Sequence, residues 1–310
     1  MGAQEELVLG PRLPAYTLLN VAAVVLCVMV TAGAGLMGPV MSLATVMSAA
    51  VCAAFALVGY ALAPSGVHSE SSGFRKEVLA VALPAVHALM FISLLSGTSG
   101  AVFYWVTIIM AAALLPLYRV KLPSPDIRIG VFGGVVMFVT AVIITALFSV
   151  ASAEAVLAWQ PVDLQAPEQQ VYAVQMLLVV ALAEELWARL TALWGGAAVA
   201  GVRTAAFWST FWFLFAHVPS RLRYGLQAPV IIAVLGTVLA VFLIFYRVSP
   251  SVWTAVVMHG TYNTLLAGMY YGTLIAELVL LAVLVYAISK LTQAKLELTI
   301  PEVVRVEQAG

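Results

Sequence analysis

The chain has 310 residues, of which 64% are hydrophobic and only 9% are charged, whereas an average soluble domain has roughly 25% charged residues. Its 14 basic and 14 acidic residues cancel to a formal net charge of zero, so the chain has no basic field of the kind that binds nucleic acid. This composition excludes an ordinary soluble domain and a nucleic-acid-binding protein, and it predicts a membrane protein.

Hydrophobic segments follow one another along the chain, and each is predicted to be a helix because hydrocarbon leaves no partner for an unpaired backbone group. Their approximate bounds are 17–36, 40–63, 78–96, 101–118, 130–151, 171–195, 204–218, 228–246, 251–269 and 271–289. Some are shorter than the roughly 20 residues that span a bilayer. The predicted fold class is an all-α polytopic membrane protein, a bundle of about ten transmembrane helices, with a range of eight to ten.

A polar loop from Pro64 to Glu77 is the best domain boundary, because serine and glycine interrupt the apolar runs there. It separates a leader with two transmembrane helices, residues 1–77, from a core of residues 78–290. A polar and charged tail occupies residues 291–310.

The distribution of basic residues predicts the orientation in the cell membrane. If the N-terminus is inside, most of the 14 Lys and Arg residues fall on the inner side, and only Arg221 and Arg223 fall in outer loops. Basic residues accumulate in cytoplasmic loops. The bias therefore predicts a multi-pass protein that contacts membrane lipid and has both termini in the cytoplasm.

A few polar side chains interrupt the later apolar segments. An ionisable group in the bilayer core costs a few kilocalories per mole, so each such group is a candidate for function. The candidates are Glu184, Glu185 and Arg189 in the sixth segment, His217 at the end of the seventh, and His259 with Asn263 in the ninth.

Helical spacing predicts different roles for the two adjacent glutamates. Glu185 and Arg189 are four residues apart on one helix face, so Arg189 can neutralise and orient Glu185. Glu184 is rotated by about 100° from Glu185, and it stays available for proton transfer.

The two histidines also have neighbours at helical spacing. His259 and Asn263 are four residues apart and share a face, where an imidazole and an amide can act together as hydrogen-bond donors. Phe213 lies four residues before His217 and is expected to pack against its ring.

The depth of these residues in the bilayer gives an independent argument that they meet. The sixth and seventh segments form a hairpin that turns near 197–203, so Glu184 and His217 each lie about 20 Å from the turn. His259 lies about 15 Å into its own segment and Asn263 one turn further. The alternative is that these residues only join helices, as an interhelical ion pair and histidines bonded to carbonyl groups.

Three short motifs resemble those of a known family. Glu184–Arg189 (EELWAR) is similar to the EExxxR motif, Phe213–His217 (FLFAH) to the FxxxH motif, and His259–Asn263 (HGTYN) to the HxxxN motif of the CPBP family. This family comprises the CAAX proteases and bacteriocin-processing intramembrane endopeptidases, and the chain resembles its type II CAAX prenyl endopeptidases. The resemblance covers about residues 171–266 and implies that residues 78–290 are an intramembrane protease core.

The resemblance implies catalysis by Glu184, His217, His259 and Asn263. Glu184 with His217 would activate water, and His259 with Asn263 would stabilise the oxyanion. Glu185, Arg189 and Phe213 would support them. No cofactor is favoured, although zinc is possible, with Glu184, His217 and His259 as its ligands.

Two other function classes are open. Glu and His residues within spans also mark ion pathways, so a proton-coupled transporter is one alternative. A non-catalytic scaffold or immunity protein with the same fold is the other. For the protease, a site inside the membrane implies a substrate that carries a lipid anchor or a transmembrane peptide, such as a prenylated protein or a C-terminal tail.

Overall fold

The computed structural model describes residues 12–33, 39–65, 67, 69–96, 100–120, 123–148 and 179–271. In these ranges the chain is helical apart from turns and one small pair of strands, so the prediction of a helical protein is confirmed. The α-helices are α1 (Arg12–Gly33), α2 (Pro39–Ala61), α3 (Gly73–Leu95), α4 (Gly100–Leu114), α5 (Ile127–Phe148), α6 (Ala181–Glu185), α7 (Gly196–Ala200), α8 (Val202–Phe215), α9 (Val218–Arg221), α10 (Ala228–Val248) and α11 (Val252–Tyr271).

The helices follow the hydrophobic segments in order. The described residues contain some of the ten predicted membrane spans. Five helices or helix runs in the described residues are long and apolar enough to cross a membrane: Ala15–Gly33, Pro39–Ala61, Gly73–Leu95, Ile127–Thr145 and Val202–Val248. A shorter apolar helix covers Tyr104–Leu117. Beyond Tyr271, the predicted segment 271–289 and the tail 291–310 lie outside the described residues. The chain is therefore a multi-pass membrane protein, and the count of ten remains a prediction.

Large apolar side chains cover the outside of the bundle. They include Leu18 on α1, Leu57 on α2, Phe132 on α5 and Ile244 on α10, all of which are exposed. Such a surface would be unfavourable in water but matches the acyl chains of a bilayer. The same helices bury small and polar residues against one another, so the bundle is apolar outside and mixed inside.

Two short strands were not expected from an all-α sequence. β1 (Ser69–Glu70) and β2 (Arg119–Val120) pair antiparallel, with Ser69 opposite Val120 and Glu70 opposite Arg119. Two residues are too few to show the alternation by which a strand is recognised. The pair joins the loop before α3 to the end of α4.

The hairpin that carries the glutamates contains an unusual helix. α6 continues into a π-helix (Leu186–Gly195) and then into α7, while the sequence predicts one α-helix. The hairpin turns at Gly201, whose φ of 81° is in the region that favours glycine. Short π-helical insertions occur frequently at functional sites, and this one directly follows Glu185.

α11 packs closely against α5. Gly130 and Gly134 on α5 are four residues apart and face α11, as in the GxxxG pattern of membrane helix pairs. A Cβ atom on Gly134 would lie 2.6 Å from the Met258 carbonyl oxygen and 2.6 Å from Cβ of Thr261. The glycine therefore sets the position of the part of α11 that carries His259.

Hydrogen bonds also tie the beginning of α11 to the beginning of α5. The Thr254 hydroxyl accepts a hydrogen bond of 2.8 Å from the backbone N–H of Asp126, and the Ser251 hydroxyl donates one of 3.0 Å to the Pro123 carbonyl. The Asp126 carboxylate accepts from the N–H of Ile129 at 3.0 Å, which caps α5. The register of the two helices is thereby defined.

Candidate active site

Three helical elements bring Glu184, His217 and His259 together. Glu184 lies at the end of α6, His217 in the turn between α8 and α9, and His259 in the middle of α11. Nε2 of His217 lies 3.9 Å from Oε2 of Glu184, and Nε2 of His259 lies 3.8 Å from the same oxygen. The predicted proximity of these three side chains is observed.

The neighbour of His259 fixes which of its nitrogens carries a proton. Nδ1 of His259 lies 2.9 Å from Oε1 of Glu185, and a carboxylate only accepts. Nδ1 therefore donates, and in a neutral imidazole Nε2 is the acceptor. Nε2 is the nitrogen that faces Glu184.

His217 is arranged in the same way by its own helix. Its Nδ1 lies 2.7 Å from the backbone carbonyl oxygen of Phe213, which can only accept, so Nδ1 donates and Nε2 is the acceptor of the neutral ring. The Phe213 ring lies 5.2 Å from the His217 ring and 6.0 Å from the His259 ring, measured between centroids. The predicted packing of Phe213 on His217 is confirmed.

These contacts direct three acceptor atoms at one point. Oε2 of an ionised Glu184 and the two Nε2 lone pairs repel one another unless a proton, a water molecule or a cation lies between them. Separations of 3.8 and 3.9 Å are short enough for one water at about 2.8 Å from both members of a pair. The cluster is therefore suited to holding water and exchanging protons with it.

Tyr104 on α4 also contacts Glu184, a contact that sequence reasoning missed. Its hydroxyl donates a hydrogen bond of 3.3 Å to Oε1 of Glu184, the oxygen that faces away from the histidines. The sequence feature that could have indicated this contact is a tyrosine, whose hydroxyl needs a partner when buried, in an apolar segment. The bond orients the carboxylate and leaves Oε2 to the histidines.

Glu185 and Arg189 form the predicted ion pair. Nε of Arg189 lies 3.1 Å from Oε2 of Glu185, and both side chains are only 1% exposed. Nη1 of Arg189 donates to the Ser209 hydroxyl at 3.3 Å, and that hydroxyl donates to the Ala188 carbonyl at 2.6 Å. The pair and Ser209 connect the π-helix to α8.

Aromatic rings enclose the Arg189 guanidinium. Its central carbon lies 4.5 Å from the ring centroid of Phe242, 5.3 Å from that of Phe213 and 5.7 Å from that of Tyr246. A desolvated guanidinium gains most from such ring faces. Trp194 donates a hydrogen bond of 3.2 Å to the Tyr246 hydroxyl, so the enclosure is itself held in place. Sequence reasoning did not identify Phe242 or Tyr246.

Asn263 lies one turn after His259 on α11 and is only 3% exposed. Its Nδ2 is buried without a hydrogen-bond partner among the described residues. A buried donor without an acceptor is costly, so this amide is suited to a group supplied from outside the chain. Its predicted place beside the other three residues stays a prediction.

A pocket opens beside the two histidines. Glu185, His217 and His259 form its polar wall. The other lining side chains are Met137, Phe213, Leu214, Leu235, Val238, Leu239, Phe242 and Tyr262. A mostly apolar pocket with a few convergent polar groups is typical of a binding site, and this one suits an apolar chain.

Glu184, His217 and His259 are the predicted zinc ligands. Imidazole and carboxylate are suitable donors, with metal distances of about 2.0 to 2.2 Å. Within the described ranges, however, no group of three or more His, Cys, Asp and Glu side chains has the arrangement of a metal site.

Comparison with known proteins agrees with the motifs. Residues 167–265 match the family model described as type II CAAX prenyl endopeptidase Rce1-like. Neither the curated proteins nor the solved structures gave a significant match to the chain. The matched range contains Glu184, His217, His259 and Asn263, so residues 167–265 of this membrane protein are a domain of the type II CAAX prenyl endopeptidase Rce1-like family.

Proposed function

We propose that this protein is an intramembrane endopeptidase that hydrolyses a peptide bond of a membrane-anchored substrate. The observation that carries the proposal is the convergence of the Glu184 carboxylate and the Nε2 atoms of His217 and His259 beside an apolar pocket. The family of residues 167–265 supports proteolysis as the reaction.

In this proposal Glu184 and His217 activate the water. The water lies between Oε2 of Glu184 and Nε2 of His217, which are both acceptors. As its oxygen attacks the carbonyl carbon, it transfers a proton to this pair. Tyr104 holds Glu184 in place through the other carboxylate oxygen.

His259 and Asn263 stabilise the oxyanion of the tetrahedral intermediate. Because Nδ1 of His259 already donates to Glu185, Nε2 can donate to the oxyanion only when the ring carries both protons. Carboxylate oxygens of Glu185 and Glu184 face its two nitrogens, so both can accept from a ring that has taken up the second proton. Nδ2 of Asn263 supplies a second donor, and one such donor typically contributes about 3 to 4 kcal/mol to the transition state.

The reaction is completed when the C–N bond breaks. The proton held by Glu184 and His217 moves to the leaving nitrogen, which departs as an amine, and the carbonyl carbon is left in a carboxylic acid. The acid then transfers its proton to the amine, so the products leave as a carboxylate and an ammonium group. No group on the enzyme is consumed. Glu185 and Arg189 stay paired throughout and keep the His259 ring in orientation.

The substrate class follows from where the site lies. A site within a membrane domain receives chains that are held at the membrane, and the apolar walls of the pocket suit a prenyl group or an apolar segment of the peptide. We place the catalytic core at residues 78–290 and both termini in the cytoplasm, as the basic residues predict.

The proposal is tested with the full-length protein in lipid nanodiscs and a prenylated peptide that ends in a CAAX-type sequence. Mass spectrometry of the products is expected to show cleavage near the C-terminus by the wild type. Glu184→Gln is expected to lower the rate by at least about a hundredfold, because general base catalysis contributes this much or more.

The matched control is Glu70→Gln, the same substitution at an exposed glutamate in β1. It is expected to cleave like the wild type. Equal cleavage by the Glu184→Gln variant, with both proteins equally folded, would refute the assignment of Glu184.

A further inference from the structure

His87 on α3 is a buried histidine that the proposed mechanism does not use. It is only 1% exposed, and it lies outside residues 167–265, the range that matches the family model. A buried imidazole normally finds hydrogen-bond partners for its nitrogens. The contacts of this ring therefore show what the histidine does in the bundle.

One nitrogen of His87 accepts a hydrogen bond from Trp187 in the π-helix. Nε1 of Trp187 donates to Nδ1 of His87 at 2.9 Å, and an indole N–H can only donate. Nδ1 is therefore unprotonated, so the ring is neutral and Nε2 carries its proton. Nε2 is buried without a hydrogen-bond partner among the described residues.

The His87 ring also contacts α8, the helix that leads to His217. Its centroid lies 5.3 Å from that of the Trp212 ring on α8 and 5.6 Å from that of the Trp187 ring on the π-helix. The Trp212 indole is itself held, because its Nε1 donates a hydrogen bond of 2.8 Å to Oδ1 of Asn20 on α1. The imidazole of α3 therefore lies between two elements of the active site.

Both tryptophans are close along the chain to the two residues that are proposed to activate water. Trp187 follows Glu184 by three residues, and Trp212 precedes His217 by five, which is about one helical turn in each case. Oε2 of Glu184 and Nε2 of His217 are 3.9 Å apart. This separation depends on the spacing between the two indoles, which the His87 ring sets.

Stability alone does not explain a histidine at this position. A buried N–H without an acceptor costs free energy, as Nε2 of His87 does here. Replacing both partners of a buried hydrogen bond by apolar groups of similar shape can be neutral or stabilising. The bond between His87 and Trp187 instead defines an orientation, which apolar packing would leave less fixed.

We propose that His87 is a positioning residue of the active site. Its ring sets the spacing between Trp187 and Trp212. Through these indoles it keeps the Glu184 carboxylate and the His217 imidazole at the distance of one shared water. The inference rests on the proposed endopeptidase function, and it gives α3 a role in catalysis without any contact between His87 and the substrate.

Cleavage by the full-length protein in nanodiscs tests this role, with the same prenylated peptide as substrate and rates expressed per folded protein. His87→Leu is expected to lower kcat about tenfold or more with KM near the wild-type value, because a misplaced water affects the transition state and not substrate binding. Met90→Leu, at a similarly buried position on α3, is the matched control and is expected to cleave like the wild type.

Two amide substitutions show whether the position of the acceptor matters. The side-chain oxygen of His87→Asn can accept from Trp187 near the place of Nδ1, so this variant is expected to keep most of the activity. In His87→Gln the amide reaches the place of Nε2 instead, so kcat is expected to fall as in His87→Leu. Equal activity of the Asn and Gln variants would contradict the role of the bond to Trp187.

The double variant His87→Leu/Trp187→Phe separates positioning from folding. Removing both polar partners is expected to return thermal unfolding to near the wild-type temperature, whereas kcat stays about tenfold low or lower. Wild-type kcat in the double variant would overturn the inference. A loss of activity in His87→Leu that matches its loss of folded protein would do the same.

A measurement without cleavage separates this inference from the proposed function. The chain contains only four histidines, so labelling histidine with nitrogen-15 gives few ring signals to assign by NMR. The signals of His217 and His259 are expected to shift in His87→Leu, because Glu184 moves relative to both rings, and to stay in place in Met90→Leu. Unchanged signals would refute the role of His87 and keep the endopeptidase. Shifted signals in a protein whose wild type cleaves no peptide would do the reverse.

Discussion

Glu185 and Arg189 place two opposite charges in an environment that excludes water almost completely. Their side chains are each 1% exposed, and Glu185 also accepts from His259. Removing one member of such a pair leaves the other charge buried, which costs about 3 to 5 kcal/mol, whereas removing both charges is often tolerated. The pair therefore links the stability of the bundle to the orientation of His259.

Substitution of this pair is expected to separate stability from activity. Glu185→Gln should destabilise the protein by about 3 kcal/mol, and Glu185→Gln/Arg189→Met should recover most of that loss. Both variants should cleave more slowly than the wild type, because His259 loses its carboxylate partner in each. Thermal unfolding in detergent and cleavage rates are the measurements. Full activity in the double variant would show that the carboxylate is not needed at His259.

The zinc alternative is tested by removing metal. The proposed mechanism uses only side chains and water, so cleavage is expected to persist after dialysis against a strong chelator. Elemental analysis of the active protein is expected to find far less than one zinc per chain. Loss of cleavage in chelator that added zinc restores would assign Glu184, His217 and His259 to a metal.

At the residue scale, contacts four residues apart could be predicted from sequence and contacts across the bundle could not. The pair Glu185 with Arg189, and Phe213 with His217, follow from helical spacing. The bond from Tyr104 to Glu184 joins residues 80 positions apart, and no period in the sequence relates them.

At the scale of elements, the packing of α5 on α11 positions half of the candidate site. Both helix beginnings are joined through Thr254 and Asp126. Further along, the backbones approach so closely that a Cβ on Gly134 would overlap the Met258 carbonyl oxygen. His259 directly follows Met258, so any displacement there moves the imidazole.

Enlarging this glycine is expected to damage both the fold and the site. Gly134→Leu should destabilise the protein by about 1 to 3 kcal/mol, as overpacking of a close contact does, and should lower cleavage further than that loss explains. Gly33→Leu is the control, because no atom of the described residues lies within 4 Å of the Cβ it would add. Unchanged thermal unfolding and cleavage in Gly134→Leu would contradict the close packing.

The π-helix shows where prediction of elements fails. Hydropathy defines the hairpin and its turn near Gly201, but an α-helix and a π-helix use the same residue types and differ only in which carbonyl each N–H reaches. The Thr191 hydroxyl donates to the Leu186 carbonyl at 3.1 Å. Such local contacts depend on the packed structure, so the sequence alone predicts a regular helix.

At the scale of the whole molecule, the hydrophobic segments predict the helical membrane architecture. The few polar side chains within those segments predict the candidate site. Exposed apolar side chains such as Leu57 and Phe132 face outward, as lipid requires, and α2 packs on α8 and α10 of the later half of the chain. Beyond Tyr271, the predicted segment 271–289 and the tail 291–310 lie outside the described residues. Their contribution stays a prediction.

The central claim is that the Glu184 cluster cuts peptide bonds of proteins held in the membrane. Its most direct test assumes no substrate: cells that produce either the wild type or Glu184→Gln at equal levels are compared by mass spectrometry of the C-termini of their membrane proteins. At least one membrane-anchored protein is expected to show a shortened C-terminus only with the wild type. Identical C-termini in the two membranes would contradict the claim.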